Sequence, residues 1–164
     1  MTLPLLLELT SNMGVTLLKI QNAERVLKQC ITWVGADPDM TLQGLEAREE
    51  KLTKRTIGQV IELFRKKVEF KNGYEEGLET FLKKRNKFAH DFLSVPGIGI
   101  KTETEIAAGI DFLRELANQA DLATKVFSGM NQMFLKQDVS RDLSAVDEES
   151  FNEVLALMFI QPKS

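Results

Sequence analysis

The chain has 164 residues, of which 43% are hydrophobic and 27% charged, with a net charge of -3. That length suffices for one domain with its own core and needs no covalent or metal staple. A single cysteine, Cys30, and a single histidine, His90, exclude an internal disulfide framework and a Cys/His structural zinc site, so no metal or cofactor is expected.

Apolar spacing is helical nearly everywhere, and no strand-length alternation of apolar and polar residues occurs, which predicts an all-α bundle of about five helices. A first helix is expected over residues 5–34. Its apolar positions are Met13, Leu17, Ile20, Ala23, Leu27, Cys30, Ile31 and Val34, and Gly35-Ala36-Asp37-Pro38 ends it. Met1 to Leu7 lacks the basic flank of a signal peptide, and Glu8, Ser11 and Asn12 interrupt the apolar run. No segment reads as long and apolar enough to span a bilayer, so a cytoplasmic location without a membrane partner is expected. Cys30 lies on the apolar side with no basic neighbour, as a packing residue would.

A helical stretch follows over residues 41–51, and Thr56 then caps a helix whose core side is Ile57, Val60, Ile61, Phe64 and Val68, ended by Asn72-Gly73. Between residues 51 and 87 there are eleven basic side chains against five acidic ones, while the rest of the chain is acidic. Such a window is either a solvated helix surface or an anion-binding face.

The next helix, residues 74–93, carries Arg85-Asn86-Lys87-Phe88-Ala89-His90 and is closed by Pro96-Gly97-Ile98-Gly99. That closing segment lacks the Lys-Ser/Thr of a phosphate-binding loop and no strand precedes it, so it reads as a turn. A long helix is expected from Thr102 to about residue 136. A polar connection over 137–147 then leads to a short helix from about Glu148, with Phe151, Val154, Leu155 and Met158 as its apolar positions. Residues 1–136 would thus form the bundle, and 137–164 a connection and helix packed on the same domain.

On the motif helix, Leu78, Phe81, Leu82, Phe88, Ala89, Phe92 and Leu93 make one broad apolar face, with Arg85 near its middle. Asn86 and His90, four residues apart, share one edge. Lys83, Lys84 and Lys87 point toward solvent as candidate substrate contacts. A guanidinium facing an apolar stripe needs a partner, because a buried unpaired charge costs several kcal/mol. Glu24, set within the apolar stripe of the first helix, is the candidate, either as a plain structural bridge or as the support of a site.

Arg85-Asn86, three residues and His90 resemble the Arg-x4-6-His signature of the HEPN superfamily, all-α domains in which a polar residue, often asparagine, follows the arginine. Thr56-Ile57-Gly58-Gln59-Val60-Ile61 is similar to the Thr-Leu-Gly-x-Leu-Ile element of bacterial proteins of the Arg-Asn-x-x-Ala-His type. The resemblance covers residues 5–127. It implies a metal-independent endoribonuclease with Arg85, Asn86 and His90 as catalytic residues at a homodimer cleft, and RNA and an antitoxin or other regulatory protein as candidate partners. The motif continues here as His90-Asp91-Phe92, where the toxin branch has His-x-Tyr. The tyrosine that a partner nucleotidyltransferase modifies is therefore absent, and Tyr74, about four turns upstream, lies too far along the helix to replace it.

The residue types permit that chemistry. An imidazole can take the proton of an RNA 2'-hydroxyl, and a guanidinium can hold the phosphate as charge develops on it, leaving a 2',3'-cyclic phosphate and a 5'-hydroxyl. One histidine does not readily act as both base and acid, and a second copy across a two-fold axis supplies the other. The alternative is a non-catalytic nucleotide- or RNA-binding or scaffold dimer, since the few aromatic residues are mostly phenylalanines at core spacing. A third reading is an adaptor that uses the C-terminal amphipathic segment.

Overall fold

A computed structural model of the chain describes residues 3–34, 40–66, 68–69, 73–138 and 161–162. The protein is all-α. Five helices stand among the described residues: α1 (Leu3–Val34), α2 (Leu42–Thr53), α3 (Ile57–Arg65), α4 (Tyr74–Asp91) and α5 (Glu103–Asp138), with a 3-10 turn over Phe92–Ser94. One antiparallel pairing joins Val68–Glu69 to Gln161–Pro162. The helix expected from Glu148 lies outside the described residues, as does the side chain of Val68.

Helix starts follow the sequence closely. Thr41 caps α2 by accepting from the Gly44 N–H at 3.2 Å. Thr56 opens α3 with a reciprocal capping box, accepting from Gln59 N while the Gln59 side chain accepts from Thr56 N. At α5 the Thr102 hydroxyl accepts from Glu105 N at 3.2 Å, and Glu105 Oε2 accepts from both Lys101 N and Thr102 N at 3.0 Å. Three backbone donors that the helix cannot use are thereby satisfied.

The residues group into two compact units. One comprises 1–22 with 76–122, and the other 23–75 with 123–164, so α1 and α5 each contribute to both. In the first unit, Leu9, Phe92, Ile98, Ile106, Ile110 and Leu113 form a buried cluster. The buried Thr16 hydroxyl donates to Leu113 O at 3.2 Å. Gly109 makes this packing possible: a Cβ there would lie 3.1 Å from Leu9, 3.3 Å from Ile98 and 3.5 Å from Phe92 side-chain atoms. In the second unit the buried side chains include Leu27, Cys30, Ile31, Val60, Ile61, Phe64, Phe127 and Met130. There Phe127 meets Phe64 edge-on at 5.6 Å between ring centroids and Tyr74 at 6.4 Å.

One expectation is corrected by α1. Within Leu3–Trp33 an 18-residue window reaches a mean hydropathy of 1.2, with only 17% of it buried, so this helix is long and apolar enough to cross a membrane. Glu8, Ser11 and Asn12 dilute the run without breaking it, because Leu5, Leu6, Leu7, Leu17, Leu18 and Ile20 dominate the average. A signal sequence or a core helix meets the same criterion. The helix therefore assigns no cellular location.

Candidate functional site

α4 carries Arg85, Asn86 and His90 and stops at Asp91. Its ending is built into the sequence: the chain tightens into the 3-10 turn, Ile98 N donates to Val95 O at 3.0 Å, and Gly97 adopts φ +81°, a left-handed conformation that favours glycine. The motif histidine thus stands in the last helical turn, beside a fixed corner. Phe92 anchors that corner in the core, edge-on to Phe88 at 5.7 Å and tilted against Phe112 at 5.9 Å.

Arg85 is half-buried, and its Nη1 donates to Asn86 Oδ1 at 3.1 Å. Asn86 and His90 are both exposed. The spacing puts His90 about 6 Å further along the axis than Asn86. His90 opens onto a groove of about 630 Å³ in the first unit. Leu6, Leu9, Thr10 and Met13 of α1 form one wall, and residues 88–94 with Ile100 form the other. Apart from His90, its polar side chains are Thr10, Asp91 and Ser94. Arg85 and Asn86 are not among the lining residues, so the arginine flanks the groove rather than facing it. Sequence spacing does not single out Asp91, Ser94 or Thr10; the approach of the N-terminal part of α1 to the end of α4 brings them together, and local periodicity carries no sign of it.

The apolar face of α4 is narrower than its spacing suggests. Leu78, Phe81 and Phe92 are buried, and Leu82 and Phe88 half-buried, but Ala89 and Leu93 are exposed and contribute to the groove instead. The three lysines also separate. Lys83 and Lys87 are exposed as expected, whereas Lys84 does not point to solvent. Its side chain is 22% exposed, its ammonium bridges Glu115 on α5, and it lies 5.9 Å from the centre of the Phe112 ring. A long alkyl stem at the border of an apolar face gains by covering it while its charged head finds a carboxylate. Lys84 is thus committed inside the first unit.

The basic window is divided as well, residues 51–75 belonging to the second unit and 76–87 to the first. Within the second unit Arg65 meets Glu62 at 2.9 Å and Glu75 at 3.1 Å, and Lys54 meets Glu50 at 2.8 Å. Glu24, the expected partner of Arg85, is half-buried in the second unit, and Arg85 is half-buried in the first. Tyr74 packs on Phe127 in the second unit.

Burial pushes the Cys30 thiol far above its ordinary range, as befits a packing residue. Burial, and then the nearby Cys30, does the same to the Tyr74 phenol. Among the described residues no group of three or more His, Cys, Asp or Glu side chains could hold a metal ion. Compared with known proteins, the chain matches no family model, no curated protein and no solved structure.

Proposed function

We propose that the protein is a HEPN-type, metal-independent endoribonuclease that acts as a homodimer. The observation that supports this reading most is the exposed His90 at the mouth of a groove, one turn beyond an exposed Asn86 that holds the Arg85 guanidinium. In the proposed reaction His90 removes the 2'-hydroxyl proton of RNA, O2' attacks the adjacent phosphorus, and the 5'-oxygen leaves, protonated by His90 of the second copy. Arg85, oriented by Asn86, stabilises the phosphorane charge. Lys83 and Lys87, exposed on the same helix, attract the RNA backbone.

A specific observation favours a second reading, a non-catalytic dimer that binds RNA, a nucleotide or a regulatory protein. The groove beside His90 is lined mainly by apolar side chains, and Arg85 and Asn86 lie outside it. One experiment separates the two. Purified protein in EDTA is offered single-stranded RNA, with DNA of the same sequence as control. Cleavage to 2',3'-cyclic phosphate ends, lost in His90→Ala with helicity retained, is the expected result. DNA resists because it lacks the nucleophile. If His90→Ala cuts as well as the wild type, or neither cuts, the non-catalytic reading replaces the enzyme.

A further inference from the structure

A second cavity, of about 330 Å³, lies wholly in the second unit and shares no residue with the His90 groove. That volume falls at the small end of the range typical of small-molecule sites. Three helices each turn one face to it. Gln29, Thr32 and Trp33 keep the i, i+3, i+4 spacing on α1, and Leu42, Leu45, Glu46 and Glu49 continue the same spacing on α2. Asn131 is the contribution of α5.

The lining specifies a ligand chemistry in three ways. The first is charge: Glu46 and Glu49 bring two exposed carboxylates, neither paired with a described residue, and no basic side chain is among the described lining residues. Lys28 and Arg48, each next in sequence to a lining residue, point their donors elsewhere, to Thr53 O at 3.0 Å and Ile31 O at 3.3 Å. The second is an aromatic face. Trp33 is half-buried, and an indole attracts a cation while it covers an alkyl chain, as Leu42 and Leu45 also can. The third is an unmet acceptor: Asn131 Nδ2 donates to Val26 O at 3.3 Å, which fixes the amide orientation and leaves the buried Oδ1 without a donor. A ligand N–H placed there removes that cost.

These requirements exclude the simpler occupants. An anion is repelled by both carboxylates, and a neutral apolar molecule leaves them unpaired. A quaternary ammonium has no N–H for Asn131. A bare metal ion gives Trp33 and the two leucines nothing to cover. We propose that this cavity binds a short linear aliphatic diamine. One ammonium donates to Glu46 and Glu49 at the rim, the methylene chain lies on Trp33 beside Leu42 and Leu45, and the second ammonium donates to Asn131 Oδ1 at the floor. Two positive charges thereby meet two negative ones. The inference uses neither the chemistry at His90 nor the oligomeric state of the chain.

The experiment titrates the full chain with α,ω-diaminobutane and follows the emission of Trp33, the only tryptophan, with calorimetry in parallel. A saturable change with a dissociation constant on the order of 0.1 mM is expected, weaker as salt rises. Butylamine, which reaches only one end of the cavity, should bind about tenfold more weakly. Butanediol, tetramethylammonium and succinate should not saturate. Glu46→Gln and Glu49→Gln, both at exposed positions, should each weaken the diamine roughly fivefold with unchanged helicity. Glu50→Gln, whose carboxylate pairs with Lys54 and is not part of the lining, should bind as the wild type does. Asn131→Leu should lower the diamine to the affinity of butylamine and leave butylamine unchanged; should that variant not fold, the ratio of diamine to butylamine affinity in the wild type carries the same test. No saturation by roughly 10 mM diamine, equal affinity for diamine and butylamine, or equal losses in Glu46→Gln and Glu50→Gln overturns the proposal. So does saturation by butanediol at the same concentrations, which would make the cavity a site for neutral molecules.

Discussion

Arg85 donates through Nη1 to Oδ1 of Asn86, its immediate neighbour, at 3.1 Å. Consecutive helical residues point about 100° apart, so this bond bends the guanidinium around the helix, out of the apolar stripe and toward the edge that Asn86 shares with His90. Asn86→Ala releases that restraint. Because Asn86 is exposed, stability should change by no more than about 0.5 kcal/mol, while RNA cleavage should drop about 10- to 100-fold through misorientation of the guanidinium. Parallel urea titrations and single-turnover cleavage rates check both halves; equal rates for variant and wild type would remove the positioning role.

The lysines of α4 should separate in a salt titration. Replacing Lys83 or Lys87 with alanine should make log affinity for single-stranded RNA less dependent on log salt, by about 0.7 for each phosphate that the variant no longer neutralises. Lys84→Ala should leave that slope nearly unchanged, because Glu115 already neutralises the ammonium. It should instead cost about 1 kcal/mol of stability, as the ion pair disappears and Phe112 is uncovered. An equal fall in slope for all three would show that Lys84 leaves Glu115 for the phosphate.

Phe92 holds the corner behind His90, packed against Phe88, Phe112 and the rest of the first core. Truncating it to alanine should destabilise the protein by about 3 kcal/mol. The 3-10 turn should loosen with it, so hydrogen exchange at Val95 and Ile98, whose amides donate within that turn, should accelerate more than exchange in the middle of α5. Uniform acceleration would mean that the corner melts only with the whole fold.

Stability should fall in two stages as pH rises into the alkaline range. Cys30 and Tyr74 are both held protonated by burial, with folded-state values raised above their ordinary ones. The unfolded chain ionises first, so their contribution is complete below the unfolded values and disappears as pH rises toward the folded ones. Stability should decline above about pH 8.5 from Cys30 and more steeply above about pH 10 when Tyr74 joins, by about 1.4 kcal/mol per pH unit for each group. Cys30→Ala should abolish the first stage and Tyr74→Phe the second, measured by urea unfolding from pH 8 to 11. Unchanged profiles in both variants would assign the alkaline loss to other groups.

Much of the helical frame is legible in the sequence because its signals are local. Thr56 with Gln59 and Thr102 with Glu105 are caps that a few adjacent residues specify. The corner at Pro96-Gly97 follows from one ring and one positive φ. What spacing cannot convey is which of several apolar faces finds a neighbour. Ala89 and Leu93 belong to the stripe of α4 by periodicity, yet both are exposed and line a groove shared with Leu6, Leu9, Thr10 and Met13 of α1. Leu7 and Leu18 are as apolar as Leu9 and Leu27, and only the position of the other helices decides that the first pair stays in solvent. Spacing misplaces Lys84 for the same reason: its carboxylate and its ring both come from a helix some thirty positions later.

The first unit is stitched from two separate stretches of chain, 1–22 and 76–122. Its N-terminal strip therefore leaves the ribosome long before the residues that will cover Leu9, Thr16 and Ile20. Bringing the ends of the intervening 23–75 segment together carries a loop-closure penalty of roughly 3 to 4 kcal/mol, which no contact inside the strip can offset. The core beneath the groove, which needs Ile106, Ile110 and Leu113, consequently cannot form on a nascent chain until α5 has emerged. His90 thus meets the α1 wall of its groove only when residues 88–100 join the N-terminal strip, before the second unit can gain its own C-terminal part.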